Sequence, residues 1–331
     1  MMGGMLAAPM IFGKTAFAEE KAPSFRILAK GLRFPEGPAV LPDGNLVVVE
    51  IGGGCLTRVG LNGKVGVVAD LGGGPNGSSV GPDGAVYVCN NGGLNFSPVF
   101  APTLAEPGSI QRVDLKTGKF NTLYGEAGGQ KLIRPNDLVF DPYGGFWFSD
   151  AGKGDQPGCV CWAKADGSEI RRVIEPLIAP NGIAFSPDRR ILYVVHAPSS
   201  VSAYEVTGPG QLASQAGVPR SRIVAQSAAG LGWDSMAVEA DGNLVIGTLR
   251  YPTLKLPQII AIPEDQRQGG GLTVISPDGM TQHLVSMPDP QTTNLAFGGP
   301  DMKTAYVTFS SMGILAAVEW RWPGLKLLNK A

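Results

Sequence analysis

The chain has 331 residues, with 47 Gly, 27 Pro, only 17% charged residues and a formal net charge of −1. That balance, with no block of like charges, does not indicate a nucleic-acid or anionic-membrane partner. No apolar run reaches the ~18 residues of a membrane-spanning helix, whereas abundant Gly and Pro fit many short strands joined by tight turns.

Residues 1–18, MMGGMLAAPMIFGKTAFA, are small and apolar and end in Ala16-Phe17-Ala18, before Glu19-Glu20. This has the form of a signal-peptide h-region with an A-x-A cleavage site, although no basic segment precedes it. The expectation is an exported, periplasmic protein whose residues 19–331 form a single domain. If the segment is not a signal, the protein is cytoplasmic.

Downstream, one pattern repeats. Ala39-Val40-Leu41 runs into Pro42-Asp43-Gly44, and Leu46 to Val49 returns. Apolar runs flanking Asp-Gly are a strong hairpin signal. Leu56 to Val59, a turn at Asn62-Gly63 and Val65 to Val68 complete a four-stranded unit. The second unit has Ala85 to Val88 and Ile110 to Val113, turning at Thr117-Gly118. The third has Gly145 to Phe148 and a turn at Asp166-Gly167. The fourth has Ile191 to Val195 and Val201 to Tyr204. The fifth has Leu244 to Gly247 and Leu272 to Ile275, turning at Asp278-Gly279. The sixth has Thr304 to Val307 and Ile314 to Glu319. Its fourth strand comes from Phe25-Arg26-Ile27-Leu28, closing a ring, or alternatively from residues 324–328.

Six four-stranded antiparallel units predict an all-β, six-bladed β-propeller. A lone polar residue precedes the innermost strand of each unit: Glu36, Asn76, Asn136, Asn181, Asp234 and Asn294. A turn follows each of them, at Asp43-Gly44, Asp83-Gly84, Tyr143-Gly144, Asp188-Arg189, Asp241-Gly242 and Asp301-Met302. Radial blades bring all six polar side chains to one central channel. Insertions at 91–108 and 250–270 follow second strands and are expected to cover that face.

Buried polar groups cost free energy unless satisfied, and two acids with four amides compete for donors. A central cation resolves the competition, and the oxygen donors favour Ca²⁺, Mg²⁺ or Mn²⁺ over Zn²⁺. The alternative is a polar ring bridged by water. Cys55, Cys89, Cys159 and Cys161 lack zinc-site spacing. Cys89 reads as core, and no disulfide is assigned.

Phe34-Pro35-Glu36-Gly37-Pro38, Arg134-Pro135-Asn136-Asp137, Pro180-Asn181-Gly182-Ile183, Asp234-Ser235-Met236-Ala237-Val238 and Thr292 to Gly299 occur in register. Together they resemble the senescence-marker-protein/gluconolactonase/luciferin-regenerating-enzyme family over about residues 30–312. The resemblance implies one divalent metal held by Glu36, Asn181 and Asp234, with Asn136 approaching the metal or its substrate. It implies Arg134 on substrate oxygens, Asp234 as general base, and a small lactone as substrate. Asn76 and His196 are further substrate-binding candidates. Asp150 ends a second strand on the same face and is a candidate extension of the polar site. His283 falls in an outer strand and reads as surface.

Two departures bear on the substrate. The family's Pro-Asp-Gly around the base is here Trp233-Asp234-Ser235. A substrate-binding glutamate of some sugar lactonases aligns with Gly154, beside Asp155. Phe96, Phe100, Trp233 and Tyr251 are candidates for a more apolar pocket, or for ordinary packing. Metal-assisted isomerisation or hydration, and a non-catalytic calcium-binding propeller, are the alternative functions. Oligomeric state is not legible.

Overall fold

The computed structural model describes residues 18–21, 23–93 and 107–328. Most of the expected leader, and Phe96 and Phe100, lie outside the described residues. The fold is a six-bladed β-propeller of antiparallel sheets. From the axis outward, blade one is Pro35–Val40, Leu46–Glu50, Cys55–Val59 and Val65–Asp70. Blade two is Pro75–Val80, Val86–Asn90, Ser109–Val113 and Phe120–Tyr124. Blade three is Pro135–Phe140, Gly145–Asp150, Gly158–Lys164 and Ile170–Leu177. Blade four is Ile183–Phe185, Ile191–His196, Ser200–Gly208 and Ser221–Gln226. Blade five is Leu231–Val238, Leu244–Arg250, Gly271–Ile275 and Gln282–Ser286. Blade six is Thr292–Gly298, Thr304–Phe309, Ile314–Glu319 and, from the other end of the chain, Phe25–Ala29. The register Phe25↔Val318, Arg26↔Ala317, Ile27↔Ala316 closes the ring, as the first of the two expected closures requires.

The apolar core is divided among the spaces between blades. Tyr87, Phe140, Phe146 and Phe148 pack between blades two and three. Trp147, Trp162, Phe185 and Leu192 fill the space between blades three and four. Leu28, Leu46, Val48 and Leu315 seal the seam between blades six and one. The second strands are sandwiched on both faces, so Leu46 to Val49 are all 0% exposed, and they read as unbroken apolar runs. Cys89 is likewise in this core, and all four cysteines are free buried thiols. This layering leaves the axis to the polar residues.

Outside the repeat stand the short pairs Glu126–Ala127 with Gln130–Lys131 and Ser214–Gln215 with Val218–Pro219, Gln211–Leu212 beside blade four, and one strand near the start of the chain. Ala18–Glu20 adds in parallel to the outer strand of blade five, pairing Ala18↔His283 and Glu20↔Val285. The insertion after Arg250 is not structureless, because it contains a short helix, Leu256–Ile260.

Candidate active site

The innermost strands are irregular where the polar residues sit. Pairing slips between Glu36 and Ala39, Pro75 and Ser78, Pro135 and Leu138, Trp233 and Met236, and Thr292 and Asn294. An extra residue there re-aims a side chain that alternation alone would not direct to the axis. Blade four reaches the same end differently. Its innermost strand starts at Ile183, and Asn181 is anchored by its amide to Val195 O at 2.8 Å.

Glycine after the polar residue lets neighbouring strands close in. Gly37 has φ +48°, and a Cβ there would stand 2.5 Å from Ser78 N. A Cβ on Gly182 would stand 2.6 Å from Asp234 O. Hydroxyls tie the same strands together. Ser78 Oγ donates to Gly37 O at 2.6 Å, Ser149 Oγ to Asn181 O at 2.7 Å and Ser310 Oγ to Pro35 O at 2.6 Å.

Of the acids on the axis, Glu36 and Asp137 are buried and Asp234 is half-buried, and desolvation is the main reason their carboxyls are hard to ionise. Glu36 is 2% exposed; desolvation, then repulsion from Asp234 and Asp137, hold its pKa well above the usual range. Asp234 is pushed up to about 7 by burial and the Asp137 charge, against a hydrogen bond from Asn181. Asp137 is pushed up to about 6 by burial. These mutual repulsions bring Glu36, Asp137 and Asp234 into one electrostatic cluster. Asn294 Nδ2 donates to Glu36 Oε2 at 2.8 Å and, more weakly, faces Asp137 Oδ1 at 3.4 Å.

Asp137 is the residue that sequence reasoning missed. It occupies the place of Gly37, Gly77 and Gly182 in the repeat. Glycine holds this position in three blades and Ser235 and Leu295 hold it in two others, so a carboxylate there was the available signal.

Two amide oxygens complete the picture. Asn136 Oδ1 and Asn181 Oδ1 are buried without a hydrogen-bond partner. Among the described residues, no three His, Cys, Asp or Glu side chains form a metal-binding group by themselves. The donor set is mixed, with Glu36 and Asp234 carboxylates beside orphaned amide oxygens. Such oxygen-only, electron-rich surroundings fit a hard divalent cation, which would satisfy the orphans and offset the repulsion at once.

A second layer fixes the loops that carry these residues. Asp150 is 1% exposed and accepts the amides of Ile133 at 2.8 Å, Arg134 at 2.7 Å and Gly152 at 3.2 Å. Glu50 accepts the Arg33 amide at 2.7 Å, and Asn90 Oδ1 accepts that of Gly74 at 2.9 Å. The three stand opposite Pro35, Pro75 and Pro135 in register, so one device recurs in three blades. Asp150 therefore has its carboxylate committed to backbone. His196 is committed too, with Nδ1 2.9 Å from Ala197 O and Nε2 2.8 Å from Ser202 Oγ.

The other sequence candidates separate. The Arg134 side chain is partly buried and makes no ion pair among the described residues. Asn76 is buried at 9% exposure. Trp233 packs in the core between blades four and five with Tyr193, Val195 and Val201; its Nε1 is buried without a partner. Tyr251 accepts the Gln268 amide on its hydroxyl at 3.1 Å. Gly154 has φ +61° and Asp155 is exposed. His283 lies in the outer strand of blade five, 3.9 Å from Glu20 Oε1.

Residues 34–311 match the model of the SMP-30/Gluconolactonase/LRE-like region. The chain is 26% identical over 248 residues to a gluconolactonase of Zymomonas mobilis, covering 68% of this chain and 58% of that protein. It thus spans less than two thirds of that relative's length. A gluconolactonase structure from Xanthomonas campestris superposes with TM-score 0.68 at 23% identity, over 90% of this chain and 89% of the other. The calcium-binding protein regucalcin from Agrobacterium tumefaciens gives 0.67 at 18%, over 94% and 99%. At these identities the structural likeness carries the fold alone.

Proposed function

Because the chain belongs to the SMP-30/gluconolactonase/LRE-like family, we propose that it is a divalent-metal-dependent hydrolase that opens a small lactone. The observation that carries the reading is the pair of orphaned oxygens, Asn136 Oδ1 and Asn181 Oδ1, on the same axis as two raised carboxylates, Glu36 and Asp234. These four residues would hold the cation. Calcium, magnesium or manganese suits an all-oxygen set.

A divalent cation in this set supplies Lewis acidity for the lactone carbonyl. Asp234 takes a proton from the attacking water as general base. Water oxygen bonds to the carbonyl carbon, the ring C–O bond breaks, and Asp234 returns the proton to the departing alkoxide, giving a hydroxy acid and the free carboxylate. Arg134, on the loop pinned by Asp150, binds substrate oxygens through its guanidinium. Asn76, buried at the start of the innermost strand of blade two, is a further candidate to bind substrate. His196 has both ring nitrogens occupied, so a substrate role for it requires exchange of those bonds.

The test is acid release from a lactone panel by chelated protein, restored with one divalent cation at a time, with Asp234→Asn as control. Restored turnover that vanishes in Asp234→Asn supports the reading. Cation binding without turnover on any lactone overturns it in favour of a binding role.

A further inference from the structure

The insertion that follows Arg250 runs from one acid of the site to the other. At its start Pro252 lies against Gly232, two residues before Asp234; a Cβ on Gly232 would stand 2.7 Å from Pro252 Cβ. Farther on, Leu256 forms a separate apolar cluster with Phe34 and Ile51 of blade one. Phe34 is two residues before Glu36. Blade six lies between blades five and one in the ring, so the insertion bridges over it at the rim of the channel. The face is the correct one, since Trp233 pairs with Thr248 and Leu231 with Arg250 where the insertion departs.

The bridge is internally braced. Lys255 N donates to Gln258 Oε1 at 2.8 Å. Arg267 Nη2 donates to the carbonyls of Ile260 and Ile262 at 2.8 and 2.9 Å. Leu256 is 7% exposed and Ile259 is 1% exposed. Tyr251 to Pro263 reads YPTLKLPQIIAIP, with Lys255 its single charge. Such a segment has few donors or acceptors for sugar hydroxyls, which cost free energy when desolvated unpaired.

We infer that this insertion is a specificity strap, latched by Leu256 in the Phe34–Ile51 socket, and that it selects lactones bearing an alkyl or aryl substituent over polyhydroxy sugar lactones. The inference rests on the lactonase reading for its substrate class, but the latch stands on geometry. The lactone ring is held by the polar floor, and its substituent lies beneath the strap.

The experiment uses the full chain with its restored cation. Hydrolysis of γ-lactones from butyrolactone to decalactone is compared with that of glucono-δ-lactone, in the parent and in Leu256→Ala and Leu256→Met. Trypsin cleavage after Lys255 is followed in parallel. In the parent, kcat/KM is expected to rise about two- to fourfold per added methylene over the first few carbons, and the longer lactones outpace glucono-δ-lactone. In Leu256→Ala the gradient flattens through KM, and cleavage after Lys255 speeds about tenfold or more. Leu256→Met, which conserves volume, restores both. A merely structural loss would lower kcat on all lactones alike. A flat series or a preference for the sugar lactone in the parent overturns the substrate class. An unchanged gradient or equal cleavage in Leu256→Ala overturns the latch. Failure to open any lactone removes the parent reading and the substrate class, while the cleavage rates still decide the latch.

Discussion

The Asn294 amide nitrogen lies 2.8 Å from Glu36 Oε2, so Asn294 donates a hydrogen bond to the ring of acids while its own Oδ1 accepts the Leu295 amide at 2.7 Å. Of the six repeated polar residues, this one orients a ligand candidate instead of offering a free oxygen. Asn294→Ala is expected to weaken divalent-cation affinity about tenfold, the worth of one hydrogen bond to a charged group. Asn294→Asp, which adds a like charge beside Glu36 that a cation would offset, is expected to bind the cation more tightly than Asn294→Ala. Calorimetric titration of Ca²⁺ checks the order.

Stability of the cation-free protein should fall as pH rises. Asp137 at about 6 and Asp234 at about 7 lie above their unfolded value of 3.8, and Glu36 is raised as well. The folded chain therefore binds these protons more tightly than the unfolded chain. Their favourable contribution is whole below the unfolded range near ~4 and is lost as pH climbs through about 6 and 7. Between pH 4.5 and 7.5 the melting temperature is expected to drop by several degrees from this source. Asp234→Asn should shrink the drop. Saturating Ca²⁺ should raise the melting temperature more at pH 7.5 than at pH 5, because protons compete for the same oxygens.

Gly182→Ala tests the close approach of blades four and five. The added Cβ would sit 2.6 Å from Asp234 O and 2.8 Å from Met236 N, and backbone cannot swing aside as a flexible side chain would. A loss of about 1–3 kcal/mol is expected in urea unfolding, with weaker cation binding because Asp234 moves with its strand.

Asp150→Ala tests the pinned loop. Ile133, Arg134 and Gly152 lose an acceptor at once, which is expected to cost about 2–4 kcal/mol. If Arg134 binds substrate, KM should rise about tenfold or more, while cation affinity changes less. A KM that stays at its parent value in a folded Asp150→Ala protein would remove Arg134 from the site.

The ring was legible because one local solution is written six times, and each copy corroborates the others. The turns could be found even at Arg189 and Met302, which take the left-handed backbone at φ +61° and +59° where other blades place glycine. Asp137 was harder, because at a bulge the backbone irregularity decides which of two neighbouring side chains meets the axis, and alternation does not encode it. Trp233 looked like a pocket wall from its place beside Asp234, yet it is 5% exposed in the inter-blade core. Ala18–Glu20 could not be read as a strand, since all three of its residues are exposed and carry no apolar pattern.

Blade six is completed by Phe25–Ala29 pairing with Ile314–Glu319, segments that stand nearly a full chain length apart. Hairpins within each blade are local; among the described residues this seam is the most distant strand pairing, and distant pairings are slow. The entropic penalty of so large a loop grows only logarithmically with its length, so the seam is late without being weak. Glu36 in the first blade and Asn294 in the last meet across the same seam. The constellation on the axis is therefore expected to be complete only once the ring has closed, because Glu36 and Asn294 are brought together by that closure.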